Sequence, residues 1–165
     1  MQPSRPEIAA ELLRRRNADQ TARLRRPIDA NEILTVDTDN TARLKRITAE
    51  HGWPGATLVG EEGAEAAWLL AQHADRDPEF QRRALELLMD AVDAGEAPAR
   101  HMAYLTDRCR VAAGRPQVYG TQYDSDGFAD NLRPYPIEDV EGLDARRAAV
   151  GLEPHAEYDR RMRSG

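Results

Sequence analysis

The stretch TLVGEEGAEAAWLLAQHADRDP, residues 57–78, decides the fold of this 165-residue chain. Glu61 and Glu62 stand near its start, where negative charge favours a helix N-terminus because of the helix dipole. Residues 64–71 are apolar on almost every side of a helix, a pattern typical of a helix at the centre of a fold. We therefore predict a central helix that ends near His73.

Two further helices follow with clear boundary signals. Asp77 and Pro78 suit the cap and the first position of a helix, and Gly95 suits the left-handed position after its end. Another helix is predicted over residues 97–113, and Gly114 follows it.

The segment before the central helix divides into an arm and the start of the body. Residues 1–32 are predicted to form a basic N-terminal helical arm, because the first 26 residues hold seven arginines and three acids in a helical pattern. Such an arm either docks loosely on the body of the protein or offers a surface to an acidic protein partner. Residues 33–165 are predicted to form a single, mainly helical domain, whose first helix Asp37 or Asp39 can cap.

The segment around residues 117–135 has a different character from the rest. Strand-forming residues are frequent in its first part, namely Val118, Tyr119, Thr121 and Tyr123. Asp126 and Gly127 form a strong hairpin turn signal. Beyond it, the pattern returns to helix up to the C-terminal end. The sequence therefore predicts a mainly α fold, a compact helical domain with one small β-hairpin at about 117–135.

Composition excludes several classes of protein. The formal net charge is -6, so a nucleic-acid-binding surface is not expected, since phosphate binding needs an excess of cations. No run of 18 apolar residues is present, so no membrane association is expected. Cys109 is the only cysteine, which excludes an internal disulfide and a thiolate zinc site. A cytoplasmic protein fits these counts.

No motif for a cofactor or metal is present in the sequence. The chain lacks HExxH, a P-loop and GxGxxG. His73, His101 and an acid such as Glu62 could in principle form a metal triad, but nothing in their spacing requires one. We expect neither a metal nor a cofactor.

Gln72 and His73, at the end of the central helix, are the most informative polar pair. They lie one turn beyond Trp68 and Leu69, so they are expected to point towards the interior. Buried polar groups need partners, because leaving one unsatisfied costs about 1–3 kcal/mol. Either both side chains bond to a loop backbone, or His73 is a general base in a pocket where Gln72 orients a substrate.

A second polar row lies on the helix over residues 97–113. His101, Tyr104 and Arg108 share one face, and Asp107 borders them. The row is either a solvated face or a pocket wall, in which Arg108 binds an anionic group and Tyr104 donates a hydrogen bond.

The third polar feature lies in the predicted hairpin. Alternation along a strand sends Tyr119 and Thr121 to one face, and Gly120 and Gln122 to the other, with Gln117 preceding them. A glycine here suits the close approach of a ligand, or equally of a packed helix.

Taken together, these stretches resemble a known family. The motifs are GWP at 52–54, AAWLLAQHAD at 66–75, YLTDR at 104–108 and GRPQVYGTQ at 114–122. The chain resembles an uncharacterised bacterial, largely actinobacterial, domain-of-unknown-function family over about residues 35–158. The resemblance implies a helical fold and a shared purpose for the matched polar positions, and it implies no reaction.

The sequence favours a cofactor-independent enzyme that uses acid–base chemistry on a small polar or anionic molecule, in a pocket expected between the central helix and the hairpin. His73 is the expected base or acid, Tyr119 assists proton transfer, and Asp107 fixes Arg108. The substrate-binding residues are expected to be Gln72, Arg108, Tyr104, Gln117, Gly120, Thr121 and Gln122. Hydrolysis, elimination and isomerisation all fit this set. The alternative is a non-catalytic binding module whose polar motifs are structural.

Overall fold

The computed structural model describes residues 2–124 and 131–165. Most of these residues are helical, and they contain one small antiparallel hairpin, so the predicted mainly α class with one small β-hairpin is confirmed. The chain forms two compact units, residues 1–97 and residues 98–165. No helix in the described ranges is both long enough and apolar enough for a membrane span.

The first unit is a group of four helices. They are α1 (Pro6–Leu24), α2 (Ala30–His51), α3 (Ala56–Gln72) and α4 (Pro78–Asp93). The most extensive packing joins α1 to α3, and α2 also packs against both of these helices.

The predicted arm contributes a packed helix to this unit. Leu12 is fully buried on α1, and Ala9 and Ala22 are buried beside it. On α3, Gly63 lies against Ala9, since an added Cβ would lie 3.6 Å from the Ala9 Cα, an ordinary van der Waals contact. The predicted separation of an arm, residues 1–32, as a domain of its own stays a prediction.

The central helix α3 has the predicted buried character. Its buried apolar residues are Val59, Ala64, Ala66, Ala67, Leu70 and Ala71. Gly60 interrupts the helix with a φ of 75° and a ψ of 168°, a conformation that favours glycine. The side chain of Glu96 binds the helix start, since the backbone N–H of Thr57 donates to it at 2.8 Å.

The start of α2 differs from the prediction. The helix is capped by Asp29, whose carboxylate accepts from the backbone N–H groups of Asn31 and Glu32. Asp37 and Asp39 lie inside the helix instead of capping it. The sequence was misleading because an aspartate can also face solvent or an ion-pair partner within a helix.

The boundaries of α4 confirm the local signals. Asp77 is the cap and accepts from the backbone N–H of Phe80 at 3.0 Å, and Pro78 opens the helix. Gly95 has a φ of 75°, as expected for a helix-terminating glycine.

The second unit combines helices with the hairpin. It contains α5 (Ala99–Ala112), β1 (Tyr123–Asp124), β2 (Arg133–Pro134), a 3-10 turn (Val140–Gly142), α6 (Leu143–Ala149) and α7 (His155–Ser164). Tyr123 pairs with Pro134, and Asp124 pairs with Arg133. The predicted turn at Asp126 and Gly127 lies outside the described residues.

The predicted strand is shorter than expected. Residues 118–122 do not belong to β1, because several of their backbone N–H groups donate to a side chain on α5 instead of to a neighbouring strand. Gln117 forms an isolated parallel bridge with Ile137.

A fully buried arginine on α6 ties the second unit together. Arg147 donates to the backbone carbonyl oxygens of Glu153 and Tyr119, both at 2.6 Å. Its guanidinium carbon lies 5.0 Å from the ring centroid of Tyr158 on α7. One side chain therefore joins α6, α7 and the loop that follows α5.

Candidate active site

His73 follows the last residue of α3 and lines a cavity of about 240 Å³ in the first unit, here called the His73 cavity. The sequence predicted the position of this histidine at the edge of the interior, and its side chain is 16 % exposed. The cavity is lined by Asp37, Thr38, Thr41, Ala42, Lys45, His73, Arg76 and Asp77. Residues from α2 and from the α3–α4 connection therefore surround the imidazole.

The imidazole of His73 is held by a buried carboxylate. Its Nδ1 lies 2.6 Å from Oδ1 of Asp19, a fully buried residue on α1. An ionised carboxylate only accepts hydrogen bonds, so Nδ1 carries the proton and donates it to Asp19. The second ring nitrogen, Nε2, is then the one that can take up a proton.

The environment of Asp19 keeps its carboxyl ionised. Burial is the largest single effect and raises the pKa, but the hydrogen bond and charge of His73, the hydrogen bond of Gln20 and the charge of Arg23 together lower it by more. The pKa of Asp19 therefore lies below the ordinary 3.8. At neutral pH the pair therefore contains a carboxylate.

Arg23 is the internal counter-ion of this cluster. Its guanidinium donates to Asp19 at 2.6 Å and binds both carboxylate oxygens of Asp37, at 2.9 and 2.8 Å. One ligand atom each of Asp19, Asp37 and His73 lie within 4.8 Å of one another, a spacing that could also hold a metal ion. In the structure the arginine supplies the positive charge to both carboxylates.

Gln72 lies beside His73 but is buried in the helix packing. It is 5 % exposed, and its backbone carbonyl accepts from Nε2 of Gln81 on α4 at 3.1 Å. The same Nε2 donates to the carbonyl of Ala71 and to Oδ1 of Asp75. Gln81 therefore fastens the end of α3, and with it the backbone next to His73.

The other predicted site residues belong to the second unit, where Asp107 on α5 is the centre of a hydrogen-bond network. This carboxylate is fully buried. It accepts from the backbone N–H groups of Val118, Tyr119 and Thr121 and from the Thr121 hydroxyl, at 2.8–3.0 Å. These bonds fold residues 118–121 around one side chain.

Gln117 and Gln122 lock the same loop. The Oε1 of Gln117 accepts from the backbone N–H of Gln122, and its Nε2 donates to the carbonyls of Gln122 and Tyr135. The Oε1 of Gln122 accepts from Arg108 at 3.1 Å, and its Nε2 donates to the Thr121 hydroxyl. The structure therefore brings these predicted residues together in a network that connects α5 to the hairpin.

The remaining predicted residues of α5 and its loop are buried, as His101 is, or half-buried, as Tyr104 and Tyr119 are. Burial, and then the charge of Asp107, raise the pKa of Tyr119, so its hydroxyl keeps its proton at neutral pH. Tyr104 packs edge-on against Tyr158, with 6.4 Å between the ring centroids. Burial, and to a smaller extent the charge of Arg100, lower the pKa of His101 to about 4, so this histidine is neutral at pH 7.

Gly120 is approached closely by protein. Its φ is 67°, and a Cβ built on it would lie 2.7 Å from Cδ2 of His155 on α7 and 3.1 Å from Cδ1 of Ile137. Gly120 was expected to allow the close approach of either a ligand or a packed helix. These contacts favour the packed helix.

We expect Gly120→Ala to destabilise the second unit by about 1–3 kcal/mol, since alanine is strained at this φ and its methyl group meets α7. Gly151→Ala is the matched control, because Gly151 has a φ of 76° but open space around it. Urea denaturation followed by circular dichroism measures both. Equal losses in the two variants would contradict a role for the close approach of α7.

Sequence reasoning missed Asp19, Arg23 and Asp37. Asp19 and Arg23 stand at i and i+4 on one face of α1, a spacing that marks an ion pair and that could have drawn attention to them. Their meeting with His73 depends on the packing of α1 and was not readable from the sequence.

The comparisons with known proteins identify a family but no characterised relative. No curated protein and no solved structure is detectably similar to the chain. The match to a family includes α1, which lies outside residues 35–158, and α1 packs within the first unit. Over residues 6–164 the chain matches the family of unknown function DUF6624, and it belongs to that family.

Proposed function

We propose that this protein is an enzyme that performs acid–base chemistry on a small polar molecule in the His73 cavity. His73 exchanges a proton with the substrate, and Asp19 orients the imidazole. The observation that carries the proposal is the 2.6 Å contact between His73 Nδ1 and a carboxylate that is fully buried, next to a cavity that the same histidine lines.

The chemistry follows from the state of the two ring nitrogens. With Nδ1–H donated to Asp19, the lone pair on Nε2 accepts a proton from a bound substrate. The imidazolium that forms is stabilised by the adjacent carboxylate, and in a later step it returns the proton to the product or leaving group. A positioned acid–base group of this kind contributes about 10²–10⁴-fold to a rate.

The proposal concentrates the chemistry in the first unit. Asp107, Gln117 and Gln122 are bonded within their own network, so we assign them to holding the loop after α5. The catalytic and binding roles expected of them and of Tyr119, Arg108, Tyr104 and Thr121 are not needed for proton transfer by His73. Hydrolysis, elimination and isomerisation remain the reaction types, each feasible without a cofactor. We place the activity in the bacterial cytoplasm.

Replacing His73 by Gln tests the proposal. We expect purified protein incubated with a mixture of small polar metabolites to convert one of them, as followed by mass spectrometry. His73→Gln should lose this turnover by at least about a hundredfold, since the general base is removed, while the thermal midpoint changes little.

His51→Gln is the matched control, because His51 ends α2 and does not line the cavity. It should keep wild-type turnover. Wild-type turnover in His73→Gln would overturn the proposal, and so would a parallel loss of fold and activity, which would make the histidine structural.

A non-catalytic binding module is the second candidate, and the network around Asp107 favours it, because polar motifs there serve the fold.

A protein partner on the N-terminal arm has less support. Several of the arm's arginines are already paired with acids of the same unit, namely Arg5, Arg15, Arg23 and Arg25. A pull-down of partner proteins with and without residues 1–5 would not distinguish an enzyme from a binding module. The His73→Gln experiment does distinguish them.

A further inference from the structure

We propose that the substrate of the His73 cavity is a small anion, a carboxylate or phosphate compound, whose negative group binds Arg76. This inference rests on the proposed function and adds the class of substrate and the residue that selects it. In this proposal the anionic group binds Arg76, and not Arg108 as the sequence led us to expect.

The ion pairs at the cavity leave one cation uncommitted. Lys45 binds Asp77 at 2.8 Å, and Asp37 is held by the guanidinium of Arg23. Arg76 also lines the cavity, yet no acidic group of the described residues lies within ion-pair distance of it. Its charge is therefore available to a ligand.

The two acids on the cavity wall do not prevent an anion from binding. Asp37 and Asp77 are each compensated by the cations named above, and Asp19 is bonded to Arg23 and His73. Counting these groups, three carboxylates face two cations, Arg23 and Lys45, so Arg76 brings the total to neutrality and protonation of His73 adds a further positive charge. A negative group that binds Arg76 therefore lies near carboxylates that are each already bonded to Arg23, Lys45 or His73.

The chemistry of arginine fits carboxylate and phosphate. The planar guanidinium presents two parallel N–H groups to two oxygens, and such charge-assisted pairs are about twice as strong as neutral hydrogen bonds. Thr41 lines the cavity as well and offers a hydroxyl donor. Thr38 is not equivalent, because its hydroxyl already donates to the backbone carbonyl of Leu34 at 2.8 Å.

The size of the cavity limits the substrate. About 240 Å³ lies below the roughly 300–1,000 Å³ typical of sites for drug-sized ligands. A small metabolite with one anionic group fits within this volume. Arg76 and His73 line the same small cavity, so an anionic group bound to Arg76 places the rest of a short molecule near the imidazole.

Titration with inorganic phosphate, acetate and malonate tests the inference. The chain has four histidines, and the signal of His73 is identified by its loss in His73→Gln, so its imidazole resonances report binding by nuclear magnetic resonance. We expect at least one of the three anions to shift the His73 resonances saturably. Arg76→Gln should weaken that binding at least about tenfold, and Arg76→Lys should weaken it less.

Arg82→Gln is the control, since it removes the same charge from an exposed position on α4 that does not line the cavity. It should leave the affinity unchanged. Equal weakening in Arg76→Gln and Arg82→Gln, or no saturable shift with any of the anions, would overturn the inference.

The outcomes separate this inference from the proposed function. Turnover that depends on His73, together with anion binding that does not depend on Arg76, overturns the anion site alone. Anion binding that depends on Arg76, together with wild-type turnover in His73→Gln, overturns the catalytic role and leaves a binding site.

Discussion

Replacing Asp107 by Ala should destabilise the second unit by about 3–5 kcal/mol. The substitution removes a fully buried carboxylate that accepts four hydrogen bonds. Three backbone N–H groups and one hydroxyl then lose their acceptor, and buried donors without an acceptor are costly, especially when the lost partner is charged. Chemical denaturation followed by circular dichroism measures the loss.

The location of the damage distinguishes this prediction from general destabilisation. Hydrogen exchange of the amides of Val118, Tyr119 and Thr121 should accelerate in Asp107→Ala before that of the helices, because their protection depends on this side chain. Asp124→Ala, an exposed aspartate of β1, is the control and should cost less than about 0.5 kcal/mol.

A catalytic Asp107 would behave differently. If Asp107→Ala kept wild-type stability and lost only turnover, the structural role would be wrong. The role expected from the sequence, in which Asp107 fixes Arg108 in the site, would then be favoured. Asp107→Asn sharpens the comparison, since it keeps the shape and one acceptor oxygen but adds donors where donors already point. It should fall between wild type and Asp107→Ala in stability.

The helices could be predicted where their boundary signals are local. Asp77 and Pro78 open α4, and Gly95 follows it, because capping and left-handed glycine conformations involve only residues that are neighbours in the chain. The loop at residues 118–122 could not be predicted in the same way. Its backbone N–H groups find their acceptor on Asp107, 11–14 residues earlier, and this overrides the strand preference of the side chains.

The candidate site, too, could be predicted only where it depends on residues that are neighbours in the chain. His73 was predicted from its place at the end of an apolar helix, which follows from periodicity. Its partner Asp19 lies 54 residues away on α1 and is brought to it by the packing of α1 on α3. Gly120 was recognised as a point of close approach, but only the structure identifies His155 as the group that approaches.

Replacing Asp19 by Asn should lower turnover of the substrate by about 10²–10⁴-fold. The amide side chain cannot hold His73 as a carboxylate does, so Nδ1 is no longer required to carry the proton and Nε2 is no longer held ready to accept one. An Asp-to-Asn change in a comparable aspartate–histidine pair of a hydrolase lowers turnover by about 10⁴-fold for this reason. Initial rates over a range of pH measure the effect.

Stability should respond to the same substitution in a pH-dependent way. The pKa of Asp19 is lowered in the folded state, so the folded protein binds fewer protons at this group than the unfolded chain. The stabilisation from this group is therefore fully present above the unfolded pKa of about 3.8 and is lost as the pH falls through the lower folded value. In Asp19→Asn the unfolding free energy should fall less steeply on acidification than in wild type.

Asp37→Asn is the matched control for both measurements. It removes one carboxylate from the same arginine, Arg23, but leaves the hydrogen bond from His73 Nδ1 in place. If Asp19→Asn lowers turnover far more than Asp37→Asn, the orientation of the imidazole is what matters. Equal losses would mean that the negative charge near Arg23, and not the aspartate–histidine pair, supports the reaction, and the role proposed for Asp19 would be wrong.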